Sequence, residues 1–266
     1  MASRELQAAL AAAHAAGEVI REFYRQKPTV RIKPDASPVT EADQRAEEVI
    51  RSSLAQAFPG YGFYGEETGR HAMEAESIWL VDPIDGTKSF VRETPFFSTQ
   101  IALMRAGELV LGVSSAPACD ELAWAEKGGG AFLNGRPIRV SAVAELADAF
   151  VSTGNVKSLT HAPHWERLGT LIRRVGRIRG YGDFVHYHLL ARGSLDVVIE
   201  SDVDILDIAA LAVLVREAGG VFTDLAGGPV GLQTTSVLAT NGALHAPVLE
   251  ALAPGATRGG VARLKR

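Results

Sequence analysis

Apolar residues recur at helical spacing through the first part of the chain, with charged residues between them. The positions of this first period are Leu6, Leu10, Ala13, Ile20 and Phe23. They predict an amphipathic helix that ends before Pro28. A second helix is expected to begin at Thr40, to bury Ile50 and Leu54, and to stop at Pro59. The segment between them, TVRIKPDASPVT, is interrupted by prolines and predicts a strand or hairpin that runs into a loop.

From Ser77 onward, short runs of β-type residues replace the helical spacing. Turn residues separate the runs SIWLVD, FSTQIALMRAG, ELVLGVSSAP, ELAWAEKG and GAFLNGRPIRVS. Asn134-Gly135, between two apolar runs, is a strong signal for a hairpin turn. This region therefore predicts a mostly antiparallel sheet that follows the two helices.

Beyond Ser141, strand-like and helix-like segments are mixed. The strand-like segments are AFVSTGN, SLDVVIE, VFTDL and SVLAT, and the helix-like ones are HWERLGTLIRRV and IAALAVLVREAGG. This mixture predicts a second α/β half. Because no repeat, low-complexity segment or long linker separates the halves, we expect subdomains over residues 1–140 and 141–266 that share one interface.

The composition is that of a globular protein and removes several classes of function. The chain has 266 residues, is 47% hydrophobic and 22% charged, and carries a formal net charge of −4. Apart from a short basic tail, TRGGVARLKR, the basic residues are dispersed and form no footprint for nucleic acid. No uncharged run approaches about 18 residues, and the N-terminus lacks a secretion signal. We expect a cytoplasmic protein that binds neither nucleic acid nor membrane.

The cysteine and histidine patterns do not predict a redox or zinc site. A single cysteine, Cys119, excludes an intramolecular disulfide and favours a reducing compartment. We expect it to be buried, because free cysteine usually behaves as a small hydrophobe. His161, His164, His186 and His188 form H-x-x-H and H-x-H patterns, but no nearby cysteine or further acid completes a zinc site. We interpret them as structural or surface histidines.

Acidic residues gather in four segments, three of which have ordinary structural explanations. These three are Thr40-x-x-Asp43, the loop Gly65-Glu66-Glu67-Thr68, and the trio Asp202, Asp204 and Asp207. The first matches a capping box at a helix start. The second can be a solvated turn after the strand candidate FYG. The trio crowds the entrance of a helix, where free amides favour acids, so two of the three are expected to be no more than caps.

The fourth segment, VDPIDGT, is difficult to explain as a plain acidic turn. Asp82 and Asp85 lie three apart around Pro83, whose restricted φ fixes their relative direction. Gly86 lets the chain turn, and the next residues can begin a helix whose amides face an anion. A divalent cation such as Mg²⁺ reconciles two carboxylates with a phosphate because it takes oxygen ligands from both. The carbonyl of Ile84 can supply a third oxygen.

Together these segments resemble the inositol monophosphatase family of Mg²⁺-dependent, Li⁺-sensitive phosphomonoesterases. The family pattern is a Gly-Glu-Glu loop, then W-x-x-D-P-I-D-G-T-x-x-F, then a helix written roughly W-D-x-A-A that closes on E-A-G-G. In this chain the matching segments are Gly65-Glu66-Glu67, residues 79–90, Leu206-Asp207-Ile208-Ala209-Ala210 and Glu217-Ala218-Gly219-Gly220. The motifs follow the family order over nearly the whole chain. Leu206 departs from the pattern, since a tryptophan is common there.

The resemblance implies a fold, a cofactor and a set of site residues. The fold is a layered αβαβα sandwich of the inositol monophosphatase and fructose-1,6-bisphosphatase type, an α+β or α/β class. The cofactor is Mg²⁺, with two or three ions, and the assembly is a homodimer. The implied metal ligands are Glu66, Asp82, Asp85, Asp207 and the carbonyl of Ile84. The implied catalytic residues are Asp43, Thr87 and Glu66, with Asp43 and Thr87 orienting and deprotonating the attacking water.

Substrate contacts are implied by the same resemblance. The amides of Gly86 and Thr87 would hold the phosphate, with Asp207 beside them. The stretch GYGDF resembles the histidinol-phosphatase branch, since inositol and fructose phosphatases carry small residues there. Asp183 would then place a carboxylate in the leaving-group pocket, where it can pair with an ammonium group, and Glu200 would serve the same cation. The alternative is that Asp183 only caps a helix that begins at Phe184.

The expected function is hydrolysis of L-histidinol phosphate to L-histidinol and phosphate, a step of histidine biosynthesis. One alternative keeps the chemistry and changes the substrate to inositol 1-phosphate or other small sugar phosphates. Another alternative is a catalytically silent binding or regulatory protein that retains the fold. The last is disfavoured, because every catalytic position that the family motif requires is filled.

Overall fold

The helices and strands are given by a computed structural model that describes residues 2–26, 30–32, 38–161 and 165–253. In this part of the chain the helices are α1 (Arg4–Gln26), α2 (Glu41–Ala57), α3 (Thr87–Val91), α4 (Val156–Leu159), α5 (Trp165–Ile172), α6 (Asp183–Ala191), α7 (Ile205–Glu217) and α8 (His245–Leu252). The strands are β1 (Val30–Ile32), β2 (Pro38–Thr40), β3 (Gly62–Gly65), β4 (Gly69–His71), β5 (Ser77–Asp85), β6 (Ser98–Arg105), β7 (Glu108–Ala116), β8 (Glu121–Glu126), β9 (Gly130–Leu133), β10 (Arg136–Ile138), β11 (Phe150–Thr153), β12 (Arg177–Arg179), β13 (Val197–Ser201), β14 (Val221–Thr223) and β15 (Ser236–Thr240). None of these helices combines the length and the apolar character needed to cross a bilayer.

The larger sheet follows the two long helices, as predicted. Its strand order in the described residues is β10-β9-β8-β7-β6-β5-β3-β4. The neighbours pair antiparallel except β3 and β5, which are parallel. Asn134 and Gly135 form the turn between β9 and β10 with positive φ at both residues, which confirms the predicted hairpin. The segment before α2 also forms a hairpin, in which β1 pairs antiparallel with β2.

The smaller sheet is mixed. Its order in the described residues is β12-β11-β13-β15-β14, with β11 parallel to both of its neighbours and β15 antiparallel to both of its own. The predicted strands and helices of this half are confirmed, whereas β12, α4, α6 and α8 are found in addition. The subdomain limits of residues 1–140 and 141–266 stay a prediction.

Alternation along the strands builds a five-layered sandwich. In β5, Trp79 and Val81 pack against α1 and α2, whereas Leu80 faces the opposite side, because successive side chains in a strand point to opposite faces. On that opposite side α6 and α7 lie between the two sheets, and Val198 of β13 closes the same core. Val197 points the other way, to the layer of α5 and α8. The expected αβαβα sandwich is therefore confirmed.

The expectation that Cys119 is buried is wrong. This residue is exposed. It lies in the turn that joins β7 to β8 rather than in either strand, and its Sγ lies 3.3 Å from the carbonyl oxygen of Pro95. A short turn beyond the ends of two strands offers no core in which a thiol can be enclosed.

Helix α7 packs unusually close to the larger sheet. It is apolar nearly all round, with buried residues on every face, as expected for a helix between two sheets. At Gly112 of β7, a Cβ atom would overlap the backbone carbonyl of Ala210. The glycine therefore sets how near α7, with Asp207 in its first turn, lies to β5.

Substitution Gly112→Ala is expected to destabilise the protein by about 1–3 kcal/mol, the usual cost of overpacking a core. Urea or thermal unfolding measures the change. Gly169→Ala in α5 is the matched control, since its Cβ would meet open space and alanine is favoured inside a helix. Equal unfolding free energies for the wild type and Gly112→Ala would contradict the close packing.

Candidate active site

A β-bulge at the end of β5 brings Asp82 and Asp85 together. Residues three apart in a regular strand point to opposite faces. Here Asp82 pairs with Gln100 and Asp85 pairs with Ser98, so three steps on β5 oppose two on β6. The extra residue is the bulge, and it turns both carboxylates into one cluster.

Hydrogen bonds hold the bulge in shape. The N–H of Ile84 donates to Oδ1 of Asp82 at 2.9 Å. The hydroxyl of Thr99 donates to the carbonyl of Pro83, also at 2.9 Å. Both bonds are buried, so the backbone between the two aspartates is fixed by its own polar groups as well as by the restricted φ of proline.

Asp207 reaches the same cluster from the first turn of α7. Asp204 is the N-cap, and its Oδ1 accepts from the N–H of Leu206 at 3.0 Å. Oδ2 of Asp207 accepts from the N–H of Asp204 at 2.7 Å, which completes a capping box. The expectation that two of the three acids at this helix entrance are no more than caps is confirmed for Asp204 alone. Asp207 completes the capping box and also has a carboxylate oxygen within 4.8 Å of oxygens of Asp82 and Asp85.

The three carboxylates repel one another in a buried setting. Burial raises the pKa of Asp82 and of Asp85 well above the usual value, and the charges of neighbouring acids raise both further. Burial likewise raises the pKa of Asp207 to about 7. Oxygen ligands at this spacing, destabilised as anions, are the donor set that a hard divalent cation prefers.

Glu66 lies at the edge of this cluster. Strands β3 and β5 are parallel, with Gly65 opposite Val81, and the N–H of Glu66 donates to the carbonyl of Val81 at 3.1 Å. The carboxyl ends of the two strands therefore meet. Glu66 is exposed, yet its charge contributes, after burial, to the raised pKa of Asp82.

Glu47 of α2 holds the loop that carries Glu66, and the sequence analysis missed it. Its side chain is fully buried and accepts from the N–H groups of Glu67 and Thr68, both at 2.8 Å. A Cβ on Gly65 would lie 2.6 Å from its carboxylate oxygens, which explains the glycine at this position. The available signal was its place four residues after Asp43, on the buried face of the same helix.

Asp43 and Thr87 form the second part of the site. Oδ2 of Asp43 accepts from the N–H and the hydroxyl of Thr40, at 2.7 and 2.6 Å, so the predicted capping box is confirmed. The hydroxyl of Thr87 lies 3.2 Å from Oδ1 of Asp43 and 3.0 Å from the carbonyl oxygen of Ile84. Burial raises the pKa of Asp43 above its usual value, which makes its carboxylate a stronger base.

Gly86 occupies a position that requires glycine. Its φ is 85°, and a Cβ would lie 2.6 Å from the carbonyl oxygen of Phe96. As the N-cap of α3 it begins a turn whose first amides have no partner within the helix. These amides start directly after Asp85, at the edge of the acidic cluster.

A small cleft opens beside the cluster and contains Asp183. The residues that line it include Asp85, Asn155, Asp183, Tyr187, Glu200 and Asp207. The cap of α6 is Gly182, and no side chain caps this helix, so the alternative that Asp183 caps a helix beginning at Phe184 is wrong. Asp183 itself has φ of 46°, and burial raises its pKa to about 6.

Buried partners from α6 hold Glu200 in this cleft. Its Oε2 accepts from the hydroxyl of Tyr187 at 2.6 Å and lies 3.0 Å from Nε2 of His186. The other nitrogen of His186 lies 3.3 Å from the hydroxyl of Ser152. The sequence analysis did not connect the side chains of Tyr187 and His186 with the site.

The remaining histidines do not form a metal site in the described chain. His186 and His188 are buried and hydrogen-bonded, as expected for structural histidines, and His161 is exposed. Within the described ranges, the ligand cluster at metal-binding spacing consists of the three aspartates. His164 and the basic tail after residue 253 lie outside the described residues.

Comparisons with known proteins agree with this geometry. The model of the inositol monophosphatase family matches residues 2–255. A histidinol-phosphatase of Mycobacterium tuberculosis is 43% identical, over 96% of this chain and 100% of its own. An inositol-1-monophosphatase of Mesorhizobium japonicum is 37% identical, over 91% and 93%. The structure of the extragenic suppressor protein suhB from Bartonella henselae superposes with a TM-score of 0.88, at 35% identity, over 95% of this chain and 100% of that one. The chain belongs to the inositol monophosphatase family and is a phosphatase that hydrolyses phosphomonoesters.

Proposed function

We propose that this phosphatase is Mg²⁺-dependent and acts on L-histidinol phosphate, releasing L-histidinol and phosphate. The observation that carries the choice of substrate is the carboxylate of Asp183, which caps no helix and lines the cleft beside the acidic cluster. Histidinol phosphate combines a phosphate with an ammonium group, so it needs an acid on the side of the leaving group.

The metal assignment rests on the chemistry of the cluster. The proposed ligands are all oxygens, which suits Mg²⁺. They are the carboxylates of Asp82, Asp85 and Asp207, the carboxylate of Glu66 at the edge of the cluster, and the backbone carbonyl of Ile84. Burial first, and the charges of neighbouring acids after it, raise the pKa of each aspartate, and divalent cations would offset both effects. When bound, two or three such ions supply Lewis acidity toward water and the phosphoryl oxygens.

The chain's own groups handle the proton and the phosphate. Asp43 accepts a proton from the attacking water, and the hydroxyl of Thr87, between Asp43 and the carbonyl of Ile84, orients that water. The amides of Gly86 and Thr87, which have no partner within α3, receive the phosphate. In this scheme the phosphoryl group passes directly to water.

Sequence identity alone does not select the substrate. Relatives named histidinol-phosphatase are 36–43% identical to this chain, and relatives named inositol-1-monophosphatase are 36–40% identical. The cleft favours a cationic leaving group, because Asp183 and Glu200 place two carboxylates near its expected position. A neutral polyol would bring no positive charge to compensate these negative charges. Glu200 can also accept from sugar hydroxyls, so inositol 1-phosphate or another small sugar phosphate is the second candidate.

Three further assignments rest on the family likeness. We propose a homodimer, a cytoplasmic location and inhibition by Li⁺. The membership in a phosphatase family supports an enzyme over a catalytically silent regulatory protein.

Asp207→Asn is expected to stabilise the metal-free protein at pH 8 and to remove most of its stabilisation by Mg²⁺. Because the folded-state pKa of Asp207 is raised to about 7, the stability present below its ordinary pKa of 3.8 is lost as pH rises through 7. Asparagine has no carboxyl group to ionise, so it removes this loss of stability at high pH. Its side-chain oxygen can still accept the hydrogen bond from the N–H of Asp204. Each kcal/mol corresponds to roughly 2–4 °C in the melting temperature.

Melting curves with and without Mg²⁺, at pH 5 and pH 8, test this expectation. Asp202→Asn is the matched control, since Asp202 is exposed at the same helix entrance and lies outside the cluster. If Mg²⁺ raises the melting temperature of the Asp207→Asn protein as much as that of the wild type, Asp207 is not a metal ligand.

Thr87→Val is expected to lower kcat by roughly 10²–10⁴, because it deletes the hydroxyl that orients the water. Thr87→Ser keeps the hydroxyl and should recover most of the rate. Phosphate release at saturating Mg²⁺ and substrate measures kcat. A valine variant with nearly wild-type kcat would exclude the proposed role.

Asp183→Asn is expected to lower kcat/KM for L-histidinol phosphate by roughly 10–100-fold, about 1.4–2.8 kcal/mol, while leaving that for myo-inositol 1-phosphate nearly unchanged. The wild-type preference should weaken as pH falls below about 6, since burial raises the pKa of Asp183 to about 6 and the protonated acid no longer attracts the ammonium. The variant's preference should lack this step. Equal losses on both substrates would assign Asp183 to folding, and a wild-type preference for the inositol ester would overturn the choice of substrate.

A further inference from the structure

A line of polar side chains crosses the inner face of the larger sheet, from the acidic cluster to the surface, and is buried except at its outer end. In order, it contains Asp85, Ser98, Gln100, Ser114, His188, Glu121 and Arg192. Strand pairing places the first members side by side, since Asp85 is opposite Ser98 on β6 and Gln100 is opposite Ser114 on β7. Helix α6 and strand β8 provide the outer end. The line therefore joins four strands and a helix that the sequence analysis did not connect.

The outer end fixes the direction of every hydrogen bond. The bond from His188 lowers the pKa of Glu121, and Arg192 lies 3.2 Å away, so Glu121 is an ionised acceptor. Nδ1 of His188, at 2.8 Å, must then be the donor. Burial lowers the pKa of His188, which keeps the ring neutral and leaves Nε2 as an acceptor. The hydroxyl of Ser114, 2.9 Å from Nε2, donates to it.

The same logic continues inward to Asp85. Since the hydrogen of Ser114 is committed to His188, its oxygen accepts from Nε2 of Gln100 at 3.1 Å. The second hydrogen of that amide goes to the oxygen of Ser98 at 2.7 Å. The hydroxyl of Ser98 is then directed at Oδ2 of Asp85, at 3.4 Å. If the side-chain amide of Gln100 were rotated by half a turn, its oxygen would accept hydrogen bonds from both serine hydroxyls. Asp85 would then lose its hydrogen-bond donor.

The glutamine is not what packing alone would select. Its side chain is 1% exposed, and Oε1 has no hydrogen-bond partner in the described structure. An unpaired buried acceptor is unfavourable, whereas an apolar side chain of the same length would fill the position without it. Both hydrogens of the amide, in contrast, are used. The residue thus serves as a double donor within the sheet.

We propose that Gln100 and His188 are positioning residues that hold the carboxylate of Asp85 in the orientation needed to ligate Mg²⁺, acting through Ser98 and Ser114. This inference rests on the proposed Mg²⁺ site. Orienting partners behind a ligand usually change metal affinity or activity by 10–100-fold. The line is not a route for protons, because the carboxylates of Asp85 and Glu121 both accept from it and the amide of Gln100 at its centre only donates.

Gln100→Met tests the proposal in the full chain. Isothermal titration with Mg²⁺ should give a dissociation constant about 10-fold above that of the wild type. Phosphate release should need correspondingly more Mg²⁺, with kcat at saturating Mg²⁺ within about twofold of the wild-type value. The melting temperature without metal should change little, since the substitution removes an unpaired oxygen together with the two hydrogen bonds that the amide donates.

A double variant separates one connected line from independent effects. His188→Leu should weaken Mg²⁺ binding in the same direction, and adding it to Gln100→Met should cause little further loss, because the line is already interrupted. Asn241→Leu is the matched control. It removes a buried amide from the loop that follows β15, where the side chain of Asn241 donates to Ser141 and to the carbonyl of Val143, and it should leave Mg²⁺ binding unchanged.

The outcomes distinguish the two proposals. A wild-type protein that binds no Mg²⁺ would overturn the metal assignment itself. Wild-type Mg²⁺ binding with equal affinity in Gln100→Met would overturn the positioning role alone, as would an equal loss in Asn241→Leu. If Gln100→Met does not fold, Ser98→Ala interrupts the line with the loss of one oxygen, and the same 10-fold rise is expected; unchanged affinity there also overturns the role.

Discussion

Repulsion among buried carboxylates is the constraint on which the rest of this structure depends. Asp82, Asp85 and Asp207 place oxygens within 4.8 Å of one another, and burial together with neighbouring charge raises the pKa of each. Left free, such side chains would turn apart or take up protons. Local structure fixes them instead: a single β-bulge holds Asp82 and Asp85, and a capping box holds Asp207. The scaffold thus maintains an arrangement that only a cation makes favourable.

The two capping boxes use one principle twice. Asp43 and Asp207 are each the third residue of a helix, and each gives one oxygen to the backbone at the helix start. The remaining part of the carboxylate is turned toward the site. A short helix entrance is rigid because its amides need partners in any case. The same bond that begins the helix therefore orients the acid, and structural and functional interpretations of these residues do not compete.

Much of this could be predicted from sequence, because motifs and periods are local. The strands after Ser77, the helix starts and the acids of VDPIDGT all follow from neighbouring residues. Glu47 and Gln100 were missed because their partners are distant in sequence, at a loop and across a sheet, and a buried polar residue in a helix or strand pattern carries no mark of its role. The bulge was also missed, since register depends on the partner strand. The prediction that Cys119 is buried failed for a related reason, because the burial of a residue depends on where the turn lies relative to the core.

Several features that break local rules lie around the site. A non-glycine residue with positive φ at Asp183, a buried carboxylate at Glu200 and an unpaired amide oxygen at Gln100 lie on or next to the inner face of the two sheets. On the outer face of the larger sheet, helix α2 contributes the buried acids Asp43 and Glu47. Buried acids of this kind persist where function over-rides the preference of the fold. The site therefore draws its groups from both faces of the larger sheet, and the layers on each side of it serve chemistry as well as stability.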